Sequence, residues 1–169
     1  PVLAGSLKIS GEDGAALLVA PKSLNADVQI SYVSGGPAAN LPISLSAVMR
    51  DKWLSFDGYD DYSFNVYDEQ DEESDGRQED TTRSLFLDKK PAQLDAQGGV
   101  RMAAGALPAL GGRARDLLFE ATFADPNGQI QTISQTATAW PAGVVAGLRA
   151  GSWVEQGQDV AVTGLALSP

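Results

Sequence analysis

Apolar and polar residues alternate with a period of two along most of the chain, and no stretch holds the spacing of an amphipathic helix. Leu7 and Ile9 alternate with polar neighbours, and a turn over Gly11 to Gly14 leads into a short apolar run from Leu17 to Ala20. The clearest strand spans Ala26 to Ser34, with Val28, Ile30 and Tyr32 on one side and Asp27, Gln29 and Ser31 on the other. Gly35-Gly36-Pro37 then breaks it. Leu41, Ile43 and Leu45 resume the alternation to about Val48, and Phe64 and Val66 repeat it briefly. Ser84 to Leu87 predicts another short strand, stopped by Lys89-Lys90-Pro91. The turn Asp95-Ala96-Gln97-Gly98-Gly99 opens a strand over Val100 to Ala103, and Gly105 to Gly112 predicts a loop. Leu117, Phe119, Ala121 and Phe123 form one face of a further strand. Asp125-Pro126-Asn127-Gly128 predicts a tight hairpin of type I′, because Asn-Gly tolerates the positive φ angles of that turn. The return strand runs from Ile130 to about Thr138. Ile133 is out of phase with Ile130, so a bulge or a two-sided strand is expected there.

Many short strands separated by turn signals predict an all-β, Ig-like antiparallel sandwich. Trp140-Pro141 ends the last strand of that unit. Val144 to Arg149 and Asp159 to Leu167, around the turn Glu155-Gln156-Gly157-Gln158, read as the opening strands of another. The chain therefore divides into residues 1–141, with 1–4 as linker, and residues 142–169 as the incomplete start of a following unit. About 25 residues beyond the junction cannot close a sandwich alone, so they either pack on the first unit or hang incompletely folded. Pro1 and the strand-like end at Ser168-Pro169 read as cuts through a longer protein, with any leader or lipid anchor outside them. Apolar runs such as Ala139 to Leu148 are too short to span a bilayer.

Composition narrows the chemistry. The chain of 169 residues has no cysteine and no histidine. A disulfide framework, a thiolate nucleophile and a cysteine-based zinc site are excluded, as are the commonest general base and the commonest metal ligand. The net charge of −10 has a local origin: eleven acids and one base, Arg77, lie between Asp57 and Asp80, and elsewhere acids and bases balance. With no basic stripe for phosphates, nucleic acid is not an expected partner.

Three segments together carry a resemblance. Ala26 to Asn40 ends a strand in an aromatic and continues Gly-Gly-Pro-Ala-Ala-Asn-Leu. Leu94-Asp95-Ala96-Gln97-Gly98 precedes a strand. Asp125-Pro126-Asn127-Gly128 leads through a polar strand to Ala139-Trp140-Pro141 and Val144-Val145-Ala146-Gly147-Leu148. In order and spacing they resemble the turns and module junction of bacterial α2-macroglobulins, and Phe56-Asp57-Gly58-Tyr59 with Tyr62-Ser63-Phe64 is similar to a mid-module stretch of the same family. The resemblance implies one macroglobulin module plus the start of the next, in a periplasmic (lipoprotein-anchored) or secreted protease trap. There a target protease cuts a bait region, the chain rearranges, and a thioester of a Cys-x-Glu-Gln motif captures the attacker. Without cysteine this segment cannot hold that thioester, so the role implied is scaffolding. Its partners would be neighbouring modules and, through the full-length protein, target proteases, with a membrane reached only through an anchor outside the segment.

Other chemistry could reside only in local stretches. Asp68 to Asp80 reads as a solvated inter-strand loop, extended by its own repulsion. Set on the EF-hand pattern, Asp71, Glu73, Asp75 and Gly76 fill positions 1, 3, 5 and 6, but Thr82 stands where a bidentate Glu is needed. Arg77 and Arg83 offer basic cleavage points of a bait-like kind. Asp57, Asp60 and Asp61 among Trp53, Phe56, Tyr59 and Tyr62 invite a carbohydrate-site reading, against which stands a turn whose aromatics fill the core edge while its aspartates cap. No residue is assigned as catalytic, cofactor-binding or metal-binding, no cofactor is expected, and the chain reads as a non-enzyme. The expected function is a structural module of a protease inhibitor. A stalk or adhesin repeat of a surface protein is the main alternative, and a carbohydrate-binding module the third.

Overall fold

The computed structural model describes residues 2–65, 83–151 and 157–169. Every regular element among them is a strand: β1 (Leu3–Gly11), β2 (Leu18–Val19), β3 (Ser23–Tyr32), β4 (Pro42–Asp51), β5 (Ser84–Gln93), β6 (Gly99–Ala106), β7 (Arg115–Ala124), β8 (Ile130–Trp140), β9 (Val145–Ala150) and β10 (Val162–Leu167). They form a three-stranded sheet β1-β3-β6, a five-stranded sheet β2-β8-β7-β4-β5 and a separate hairpin β10-β9. Pairing is antiparallel except where Leu18 and Val19 run parallel to Ala139 and Trp140. The expected all-β sandwich is the fold.

The period-two pattern becomes the core directly, because alternate side chains of a strand face the same side. Leu24, Ala26, Val28 and Ile30 on β3, Ile43, Leu45, Ala47 and Met49 on β4, and Leu117, Phe119, Ala121 and Phe123 on β7 are all buried. They join Leu7 and Ile9 of β1 and Met102 and Ala104 of β6 in one continuous cluster between the sheets. β1 begins at Leu3, inside the stretch read as linker; Leu3 is buried and pairs with Tyr32.

Two turns share one construction. Asp95-Ala96-Gln97-Gly98 and Asp125-Pro126-Asn127-Gly128 each close with the Gly N–H donating to the Asp carbonyl, at 3.1 and 2.9 Å. In each, the Asp N–H donates to the carbonyl of the residue after Gly, and the Asp carboxylate accepts two further backbone N–H groups at 2.8 and 2.9 Å. Only the Gly takes a positive φ, 77° at Gly98 and 81° at Gly128. The second turn is therefore a type I turn with a left-handed Gly, not type I′. Pro126 fixes φ at a negative value and the aspartate, by accepting both amides, organises the rest.

Two other expectations change, and the open alternative at Ile133 is resolved. β5 continues through Lys89-Lys90-Pro91 to Gln93. It is the edge of its sheet, where a missing proline N–H costs no ladder bond. The break survives as a bulge: the β4–β5 register shifts between Leu45 and Val48, Lys89 takes a φ of 43°, and its N–H donates to Ser46 Oγ at 3.1 Å. In β8 the register against β7 is continuous, so the strand is two-sided: Ile133 packs on the core while Ile130 is 71% exposed. Ser63 to Asn65 form no strand; Phe64 is buried in a loop, and Val66 lies outside the described residues.

Candidate functional site

The loop between β4 and the described end at Asn65 holds Trp53, Phe56, Tyr59, Tyr62 and Phe64 together with Asp57, Asp60 and Asp61. Asn65 closes its base, accepting the Leu54 N–H at 2.8 Å and donating to the Leu54 carbonyl at 2.9 Å, as a paired strand would. Within the loop the Tyr59 N–H donates to the Phe56 carbonyl and the Tyr62 N–H to the Tyr59 carbonyl. These turns stack the rings: Phe56 lies edge-on to Phe64 at 4.7 Å, Tyr59 edge-on to Tyr62 at 6.0 Å, and Tyr62 is tilted to Phe64 at 6.5 Å. At the sandwich side of the loop Lys52 pairs with Asp116 at 3.0 Å, whose carboxylate also accepts from Thr138, and Asp51 pairs with Arg115.

This loop carries the β9–β10 hairpin. Ser63 and Leu148 exchange both backbone hydrogen bonds, at 2.8 and 2.9 Å. Gly147 lies flat on the Phe64 ring, where an added Cβ would stand 2.5 Å from the nearest ring carbon. Arg149 donates to the Asp61 carboxylate at 2.6 Å and sits over the Tyr62 ring, 4.9 Å from its centroid. The Arg149 hydrogen bond holds the Asp61 carboxyl below the usual carboxylate range, and the Asp61 hydrogen bond holds the guanidinium proton more firmly. Among the described residues the hairpin touches this loop through Gly147, Leu148 and Arg149 of β9.

Between hairpin and sandwich lies a cleft of about 620 Å³, lined among others by Trp53, Leu54, Phe64, Trp140, Val144 and Val145. Trp53, 66% exposed, forms part of its wall. Asp57 and Asp60 are exposed on the loop. Asp61 is turned to Arg149, and a carboxyl shifted downwards is the opposite of what a general acid requires. The aromatics do not fill the edge of the main core: Phe56, Tyr59, Tyr62 and Phe64 are absent from that cluster and form their own. Arg83 is exposed just before β5. Asp68 to Asp80, with Asp71, Glu73, Asp75, Gly76, Arg77 and also Thr82, lie outside the described residues. Among the described residues no three acidic side chains gather closely enough to hold a metal ion, and no helix is long and apolar enough to cross a membrane.

Ser63, Gly147 and Arg149 were not legible as contact residues. Asp61 and Arg149 are 88 positions apart, and a glycine between Ala146 and Leu148 gives no hint that a ring from elsewhere occupies its face.

No protein-family model and no curated protein matches the chain. Solved structures do match, all of Escherichia coli α2-macroglobulin at 16% identity. The elastase-activated form has a TM-score of 0.64 over 97% of this chain and 14% of its own. The native form has 0.61 over 94% and 10%, and the trypsin-activated form 0.62 over 86% and 9%. The chain thus spans about a tenth of the length of the structures it matches. Its sandwich with the appended hairpin has the fold of a macroglobulin-like module.

Proposed function

We propose that the chain is a structural module of a bacterial α2-macroglobulin-like protease inhibitor, a non-enzymatic scaffold in a periplasmic or secreted protein. The observation that supports this most is the likeness over 86–97% of the chain to one protein solved in native, trypsin-activated and elastase-activated forms. Neighbouring modules of the same protein would be its partners. Target proteases would be met by the whole protein and not by this segment, which has neither cysteine nor histidine to capture or cut anything.

The test uses the full protein that carries this module. Incubated with trypsin or elastase, it should lower the protease's digestion of a large protein substrate while sparing hydrolysis of a small peptide. Undiminished digestion of the large substrate, with binding to cell-wall material or host cells instead, would replace the inhibitor reading with that of a surface stalk.

A further inference from the structure

Phe64 and Val145 are each 8% exposed, yet neither belongs to the core between the sheets, and no β9 or β10 residue packs on it even partly. What holds the hairpin is compact and local: the Ser63–Leu148 bridge, the Phe64–Gly147 contact and the Arg149–Asp61 pair beside Tyr62. The platform beneath is closed independently by the Asn65–Leu54 clamp and its own turns. We infer that the β9–β10 hairpin is a separately releasable unit, clasped to a preformed loop, and that this joint opens without breaching the sandwich core.

Three physical points carry the inference. Cooperative unfolding follows continuous apolar packing, and contacts outside the main cluster open at lower free energy than those within it. Among the described residues the two hairpin strands pair only with each other, and two strands alone have little stability, so within these residues the clasp sets their position. The cleft, finally, takes one wall from each side, Trp140 from the sandwich and Val145 from the hairpin strand; opening the joint therefore reshapes the cleft while both sheets persist. None of this depends on the inhibitor reading, since the contacts exist whatever the parent protein does.

Hydrogen exchange on the full chain tests it. Gly147→Val places a side chain into the Phe64 ring and should speed exchange at the Ser63 and Leu148 amides about tenfold or more, with amides of β3, β4 and β7 within about twofold of the parent. Acceleration shared equally by β4 and β7, or none at Ser63 and Leu148, overturns the inference. The converse variant does not rely on disruption. Ser63→Cys with Leu148→Cys joins a directly hydrogen-bonded antiparallel pair, and the 169 residues contain no other cysteine. Oxidised, it should slow exchange across β9 about tenfold and leave β4 and β7 unchanged. A bond that forms without altering β9, or that slows the whole sandwich alike, refutes the releasable joint.

Discussion

Gly98 and Gly128 occupy the same place in the same turn, with nearly the same positive φ, but their surroundings differ. A Cβ on Gly98 would overlap the Ile30 carbonyl oxygen and crowd Ala38, while one on Gly128 would meet nothing within 4 Å. Gly128→Ala should therefore cost only the strain of a left-handed residue, about 1 kcal/mol, and Gly98→Ala at least about 2–3 kcal/mol, because β3 must shift as well. Urea denaturation midpoints of the two variants compare them directly; equal losses would mean that the approach to Ile30 relaxes freely. Asp61 provides a second residue-level prediction. Its carboxyl titrates lower in the folded chain than its ordinary value of 3.8. The pair with Arg149 therefore adds stability above that value, and the contribution is lost as pH falls through the lowered one. The acid limb of the stability curve should be shallower in Arg149→Gln, with the difference shrinking at high salt. Such pairings are invisible in the sequence, since nothing local marks two exposed charges as partners, whereas the glycines announced their turns by type alone.

At the scale of elements, β3, β4 and β7 were readable because each has one face on the core and one away from it, which imprints strict alternation. β5 was not, because its continuation past Lys89-Lys90-Pro91 depends on its being at the edge of a sheet, a fact of topology. The Lys89 bulge there offers a clean test. A lysine at φ 43° bears a penalty glycine does not, so Lys89→Gly should raise stability by about 0.5–1 kcal/mol, read as a higher urea midpoint. The two aspartate turns give the opposite sign. Asp125 is 5% exposed and accepts two backbone N–H groups, so Asp125→Ala should cost about 1–2 kcal/mol and fray the β7–β8 hairpin first, as amide exchange would record.

For the molecule as a whole, the distinction between core and clasp predicts two kinds of damage. Phe119, wholly buried between the sheets and edge-on to Phe86 at 5.8 Å, should cost about 3–5 kcal/mol as Phe119→Ala and lower the global unfolding transition. Phe64→Ala should leave that transition nearly in place and loosen only the loop and hairpin, seen as exchange confined to them. The end of β8 at Trp140 could be anticipated from Trp140-Pro141, but not the surface that joins hairpin to sandwich, because it is made of residues far apart in sequence. The edge at β5 has a last consequence, for behaviour in crowded solution. A flat open strand recruits strands from other molecules, and one interrupted by a kinked lysine and a proline does not template them. Concentrated solutions of this chain should stay free of fibrils, and restoring a regular edge with Lys89→Thr and Pro91→Val should bring thioflavin-positive aggregates that the parent lacks.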